Sequence, residues 1–258
     1  MAMASSNPAL SRGFDHGFEL DFAASPSTVM TVNGTIGKTF ALLAILSATA
    51  IYSWNQTAAG QLQPAVLPAS MIGGFILAMI TIFKPKLSPW TAPVYAAFEG
   101  VFLGTFSFFV EHLIQNRVGG TGYPGIAIEA VLLTGATLFC MLFLYSTGLV
   151  RVTQKLRAGI MAATGAVCLV YMVSIVVSMF GGTVPFLNDA TPIGIGISLF
   201  VVGLAAFNLL LDFDFIEQGA QQGAPKYMEW YGAFGLMVTL VWLYLEILRL
   251  LRKFQDRG

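Results

Sequence analysis

Charge is scarce in this chain. Lys, Arg, Asp and Glu make up 10% of its 258 residues, against about 25% in an ordinary soluble domain. With 56% hydrophobic residues and a mean hydropathy of +0.76, a water-soluble globule is excluded and an integral membrane protein is indicated. The 13 cations balance the 13 anions, so nucleic acid would find no basic footprint. Cysteine is nearly absent. Cys140 and Cys168 both fall in apolar runs, where a small buried hydrophobe is expected before a disulfide. Histidine is as rare, and Glu111-His112 alone is too little for a metal site. Catalytic signatures are missing as well. There is no H-E-x-x-H and no G-x-S-x-G. The last apolar run has no lysine before Lys253 to carry a retinal, and it offers a glutamate where an intramembrane aspartyl protease needs aspartate. An enzyme is not expected, and neither is a resident cofactor.

What is present is a series of apolar runs behind a polar leader. Residues 1–35 lack the pattern of a signal peptide and read as a soluble tail, with 36–258 the membrane domain. In the tail Phe14, Phe18 and Phe22 recur every four residues, which fits either a short docking helix or plain disorder. No charge occurs between Lys38 and Lys84, and Asn55-Gln56 with Pro64 divides that stretch into Thr39–Trp54 and Val66–Phe83. Trp90–Val110 follows, interrupted only by Glu99. Then come Ile126–Val150, Ala158–Phe180, Ile193–Leu211 and Gly232–Leu251. A spanning helix needs about 20 residues, so the chain is expected to be all-α with seven transmembrane helices. Six spans and a re-entrant segment remain the alternative.

Loop cations set the orientation. Arg12, Lys38, Lys84, Lys86, Arg151, Lys155, Arg157 and Lys226 fall on one side, Arg117 on the other. The N-terminus is therefore expected in the cytoplasm, with the protein in the cytoplasmic membrane. Arg249, Arg252, Lys253 and Arg257 at the C-terminus run against that rule. Glycines such as Gly73, Gly100, Gly104, Gly194, Gly196 and Gly203 are read as helix-packing positions.

Carboxylates inside such spans need a reason, because each costs roughly 2.5–3.5 kcal/mol at the helix centre on the milder scales. Glu99 lies nine residues past Trp90, about 13 Å in, and is a candidate for an ion or proton route. Glu129 stands near a span start and reads as interfacial. Asp212, Asp214 and Glu217 end the sixth span, where negative charge opposes the helix dipole. Positions 214 and 217 share a face and 212 points elsewhere. Glu246 lies deep in the seventh span, with Arg249 three residues on.

The stretch Leu211–Leu251, LDFDFIEQGAQQGAPKYMEWYGAFGLMVTLVWLYLEILRLL, resembles the C-terminal signature of the prokaryotic Bax inhibitor/YccA-like membrane proteins. The resemblance extends to SNPAL at Ser6–Leu10, MTVNGTIGKT at Met30–Thr39 and APVYAAFEGVFLG at Ala92–Gly104. It implies a seven-helix fold whose last helix is central and wrapped by the other six. It also implies an acidic pair on helices six and seven that senses pH and gates a calcium leak. Asp212 takes the first position and Glu246, in Tyr-Leu-Glu-Ile-Leu, the second, with glutamate for aspartate. Two features depart from the pattern. The acids are further apart in sequence, so they can meet only if GAQQGAPKYMEWY lies along the membrane surface. The second span also lacks the arginine that relatives use as a latch.

Two carboxyls held together cannot both ionise cheaply and so share a proton. The expected function is thus a pH-sensitive cation leak, most readily for transient calcium, which takes oxygen ligands. Asp212 and Glu246 would gate it, and Glu99, Asp214 and Glu217 would line it. The alternative is a non-conducting regulator that binds another membrane protein, such as a protease, through the N-terminal tail.

Overall fold

The computed structural model describes residues 28–117, 125–182 and 189–256. Most of the polar tail, with Phe14, Phe18 and Phe22, lies outside them, and so does the Gly119–Pro124 loop. Among the described residues the chain forms seven α-helices and no strand: α1 (Val32–Ala58), α2 (Val66–Phe83), α3 (Ser88–Arg117), α4 (Ile126–Ser146), α5 (Gln154–Met179), α6 (Pro192–Gln221) and α7 (Met228–Gln255). All seven are long and apolar enough to cross a membrane. The seven-span reading stands.

The helices start where local chemistry allows. Thr31, Thr153 and Thr191 cap α1, α5 and α6, each hydroxyl accepting from a backbone N–H of the first turn, and Pro192 follows its cap at the first helical position. Most spans extend beyond their apolar runs, since a helix continues through polar flanks until a turn residue stops it. The largest difference is between α6 and α7. The segment GAQQGAPKYMEWY was expected along the membrane surface. Instead α6 runs on to Gln221, α7 begins at Met228, and only Gln222–Tyr227 forms the turn, with Gly223 at φ 66°.

That turn is held from outside. Met30 N–H donates to Ala224 O at 2.7 Å, Lys226 N–H to Thr28 O at 3.0 Å, and Ser88 Oγ to Tyr227 O at 3.0 Å. The starts of α1, α3 and α7 therefore meet at one face of the bundle.

Helix α7 is the most enclosed, with 67% of its apolar window buried. Helices α1, α3, α4 and α6 pack along it, while α2 packs mainly on α3 and α5 mainly on α6. The expected wrapping by all six helices thus reduces to four in close backbone contact. On α3, the pair Gly100 and Gly104 brings α1 close: a Cβ at Gly100 would lie 2.3 Å from Leu46 O, and one at Gly104 2.1 Å from Ala50 O. Gly196 and Gly203, also expected at packing seams, face open space. Cys140 and Cys168 are free and exposed, not buried. They sit on outward helix faces, where lipid receives a small apolar side chain as readily as a core does.

Candidate functional site: carboxylates around the last two helices

Helices α6 and α7 run antiparallel from the turn at Gly223, and their contacts fix the register. Gly232 lies against Ile216, Gly235 faces Asp212, and the Lys253 ammonium reaches Gly194 O and Ser198 Oγ, both at 2.9 Å. In this register Asp212 sits level with Gly235, while Glu246 is eleven residues further along α7, about 16 Å by helical rise. The structure does not bring Asp212 and Glu246 together. The reason is the extension of both helices: with only Gln222–Tyr227 in the turn and the rest of GAQQGAPKYMEWY helical, the seventh span starts early and carries Glu246 past the depth of Asp212.

Each acid has a different setting. Asp212 points between α6 and α7, beside Gly235 and Thr239. Thr239 Oγ1 donates to Gly235 O at 3.3 Å, and Asp212 Oδ2 is buried with no hydrogen-bond partner. Glu246, 1% exposed, is fully engaged. It accepts from Tyr171 Oη of α5 at 2.8 Å, from Trp242 Nε1 at 3.2 Å, and from Arg249 Nη1 at 3.1 Å. The intrahelical Glu246–Arg249 pair is present. Relatives are implied to join two acids here. In this chain a cation on the same helix takes up the charge.

Asp214 turns to α5, where Arg157 pairs with it and Gln218 Nε2 donates at 2.8 Å. Glu217 turns to α4, accepting from Tyr145 Oη and, at 3.1 Å, from Gln221 Nε2. The three acids of one short segment thus serve three neighbours, although Asp214 and Glu217, three residues apart, were expected to share a face. Glu99 sits on α3 with Tyr95 donating to it from the preceding turn, and a Cβ at Gly74 of α2 would come within 3.2 Å of its Oε2. It therefore faces protein. Glu111 Oε1 accepts from Gly125 N at 3.0 Å and ties α3 to the start of α4.

Sequence reasoning passed over Glu229. Its side chain has no exposed surface, and it accepts from Thr31 N and Oγ1, both at 2.9 Å, while pairing with Lys38 and, at 2.9 Å, with Lys226. Gly34 leaves room for it: a Cβ there would fall 2.2 Å from Glu229 Oε1. Lys38 also lies over the Trp230 ring at 5.5 Å. The signal was available in Lys226-x-x-Glu229 at a helix start. Lys253, 1% exposed, was read as a tail charge and is a buried donor instead.

Among the described residues no group of three or more metal-ligating side chains is present. The chain matches the family model described as Bax inhibitor 1 like over residues 5–256. It belongs to that family. No curated protein and no solved structure matches it significantly. Family membership and seven apolar helices make it a multi-pass membrane protein of the Bax inhibitor type.

Proposed function

We propose that this Bax inhibitor-like protein is a cation leak gated by the protonation of Asp212, with calcium as the ion it passes most readily. The observation that carries the reading is the buried, unpartnered Asp212 Oδ2, nine residues inside the end of α6, or about 13 Å by helical rise. Protonated, this carboxyl is neutral and lets α6 and α7 close over it. Deprotonated, it is a carboxylate with Thr239 beside it and one oxygen unanswered, in a medium where such a charge costs several kcal/mol. Admitting water and a cation between the two helices relieves that cost. Thr239 Oγ1 and Gly235 O beside it are oxygen donors of the kind calcium takes.

Glu246 has a different part in this mechanism. Paired with Arg249 and held by Tyr171, it anchors the opposite end of α7. Asp214 and Glu217 line the end of α6 from which Asp212 is reached, and Glu99 is a second intramembrane carboxyl available to the ion. The starts of α1, α5 and α7, carrying Lys38, Arg157 and Lys226, lie at one face, which we assign to the cytoplasm. At the other face Arg249 is ion-paired and Lys253 is buried. Neither is a free loop charge, so these two cations weigh little against that orientation.

The test is calcium flux into proteoliposomes across a pH series. Flux is expected to rise with pH in the wild type and to become independent of pH in Asp212→Asn. An Asp212→Asn variant that keeps the wild-type pH profile removes Asp212 from the gate. A wild type without flux at any pH ends the leak reading.

A further inference from the structure

Helix α5 is joined to the bundle in an unusual way. Only 6% of its apolar window is buried, the smallest share of the seven. Leu169, Met172, Val173 and Ile175 are each about 60% exposed. A helix bathed in lipid gains little from apolar packing, because lipid tails are as apolar as leucine. Its inner side carries polar groups at a strict interval. Arg157, Thr164 and Tyr171 are each seven residues apart and so share a face, at about 10 Å steps along the axis.

All three are engaged across the same seam. Arg157 pairs with Asp214 at one face of the bundle. Thr164 Oγ1 accepts from Asn208 Nδ2 at 2.9 Å in the interior. Tyr171 Oη donates to Glu246 at 2.8 Å toward the far face. The register is regular, since α5 runs antiparallel to α6 and meets α7 at Tyr171. A seam held by apolar contacts would be closed to water throughout. This one presents a polar contact every two turns over about 21 Å, most of a bilayer core of about 30 Å. Asp212 stands one turn beyond Asn208 on α6.

We propose that the seam between α5 and the α6–α7 hairpin is the hydrated route of the leak, lined by Arg157, Asp214, Thr164, Asn208, Tyr171 and Glu246. The inference rests on the cation-leak reading and adds the path. Separating α5 breaks these contacts, and with them the hydrogen bond from Arg249 to Tyr171, all of which water can replace, and it exposes little apolar surface that lipid did not already cover. The α1–α3 seam, by contrast, is closed by backbone at Gly100 and Gly104.

A cysteine at position 162 provides the control, because Ala162 is exposed on α5 two residues from Thr164, at nearly the same depth and on the opposite face of the helix. Only a thiolate reacts with a methanethiosulfonate, and hydrocarbon suppresses thiolate formation. The full chain is reconstituted in two forms, both Cys140→Ala/Cys168→Ala, one with Ala162→Cys and the other with Thr164→Cys. Each is treated with a membrane-impermeant, positively charged methanethiosulfonate. Thr164→Cys is expected to react at least about ten-fold faster than Ala162→Cys, and its modification is expected to suppress calcium flux about ten-fold. Equal reaction rates mean a dry seam and overturn the proposal. Fast modification that leaves calcium flux unchanged places the route elsewhere and overturns it too. Absence of flux from the unmodified wild type sinks the leak reading alone, and the labelling ratio still decides whether the seam is hydrated.

Discussion

Helices α5 and α7 make an instructive pair. By composition α5 is the more apolar, with a mean hydropathy of 2.3 in its best window against 1.8 for α7, yet 6% of that window is buried in α5 and 67% in α7. In a soluble protein the order would be reversed, because apolar residues seek the core to leave water. In a bilayer the lipid already satisfies them. The interior is then the place for groups that lipid cannot serve, and α7 accordingly holds Glu229, Glu246 and Lys253 inside the fold, each with a protein partner. The outermost helix is more hydrophobic than the innermost, and the innermost holds the most buried charge.

The sharpest way to break this comparison is to remove one of those charges. Glu229→Ala leaves Lys38 and Lys226 facing each other without their shared carboxylate and takes the acceptor from Thr31. Breaking a buried pair from one side costs about 3–5 kcal/mol. The lysines are 20% and 43% exposed and can turn toward water, so about 3 kcal/mol is expected. Thermal unfolding in detergent would read this as a large drop in midpoint. An unchanged midpoint would mean that α7 is not anchored by its charges.

The same deletion can then be made on both helices. Leu243→Ala in α7 removes a side chain with no exposed surface, and Leu169→Ala in α5 one that is 63% exposed. The first is expected to cost about 2 kcal/mol, the low end of the cavity range, because the unfolded reference in a membrane mimic still solvates leucine well. The second should fall within about 0.5 kcal/mol of wild type. Comparable losses at the two positions would show that α5 is packed as a core helix, for instance against a second protein.

An effect smaller than the cavity in α7 belongs to the contact joining the two helices. Tyr171→Phe removes the hydrogen bond to Glu246 and the one Tyr171 accepts from Arg249 at 2.5 Å, and leaves Glu246 with Trp242 and Arg249. Polar contacts between membrane helices average about 0.6 kcal/mol each, and a shift of about 1 kcal/mol in detergent unfolding is expected. A loss several times larger would make Tyr171 the principal tether of α5.

Much of the architecture could be read from the residues. The uncharged stretch between Lys38 and Lys84, the polar break at Asn55-Gln56 and the basic group Arg151, Lys155 and Arg157 mark the spans. Their divisions agree with the helices, because hydropathy over about 20 residues is a local quantity. That Asp212 points away from Asp214 and Glu217 also followed from helical spacing, whereas the separate partners of Asp214 and Glu217 did not. Glu246 was placed correctly beside Arg249 for the same reason. Glu229 was missed because GAQQGAPKYMEWY was expected to lie along the surface, where a glutamate needs no partner. Cys168 was misjudged because apolar surroundings in sequence do not distinguish lipid from core.

The sequence by itself determined that the chain crosses a bilayer seven times and which carboxylates would be costly there, since both follow from composition and from the rise of a helix. Only the tertiary structure decided which group answers each carboxylate. Asp212 faces Gly235 and Thr239, and Glu246 faces Tyr171 and Arg249, because the turn at Gln222–Tyr227 sets the register of α6 against α7. That register depends on where two long helices end, and a shift of one residue there moves every facing pair about 1.5 Å along the axis and rotates it by about 100°.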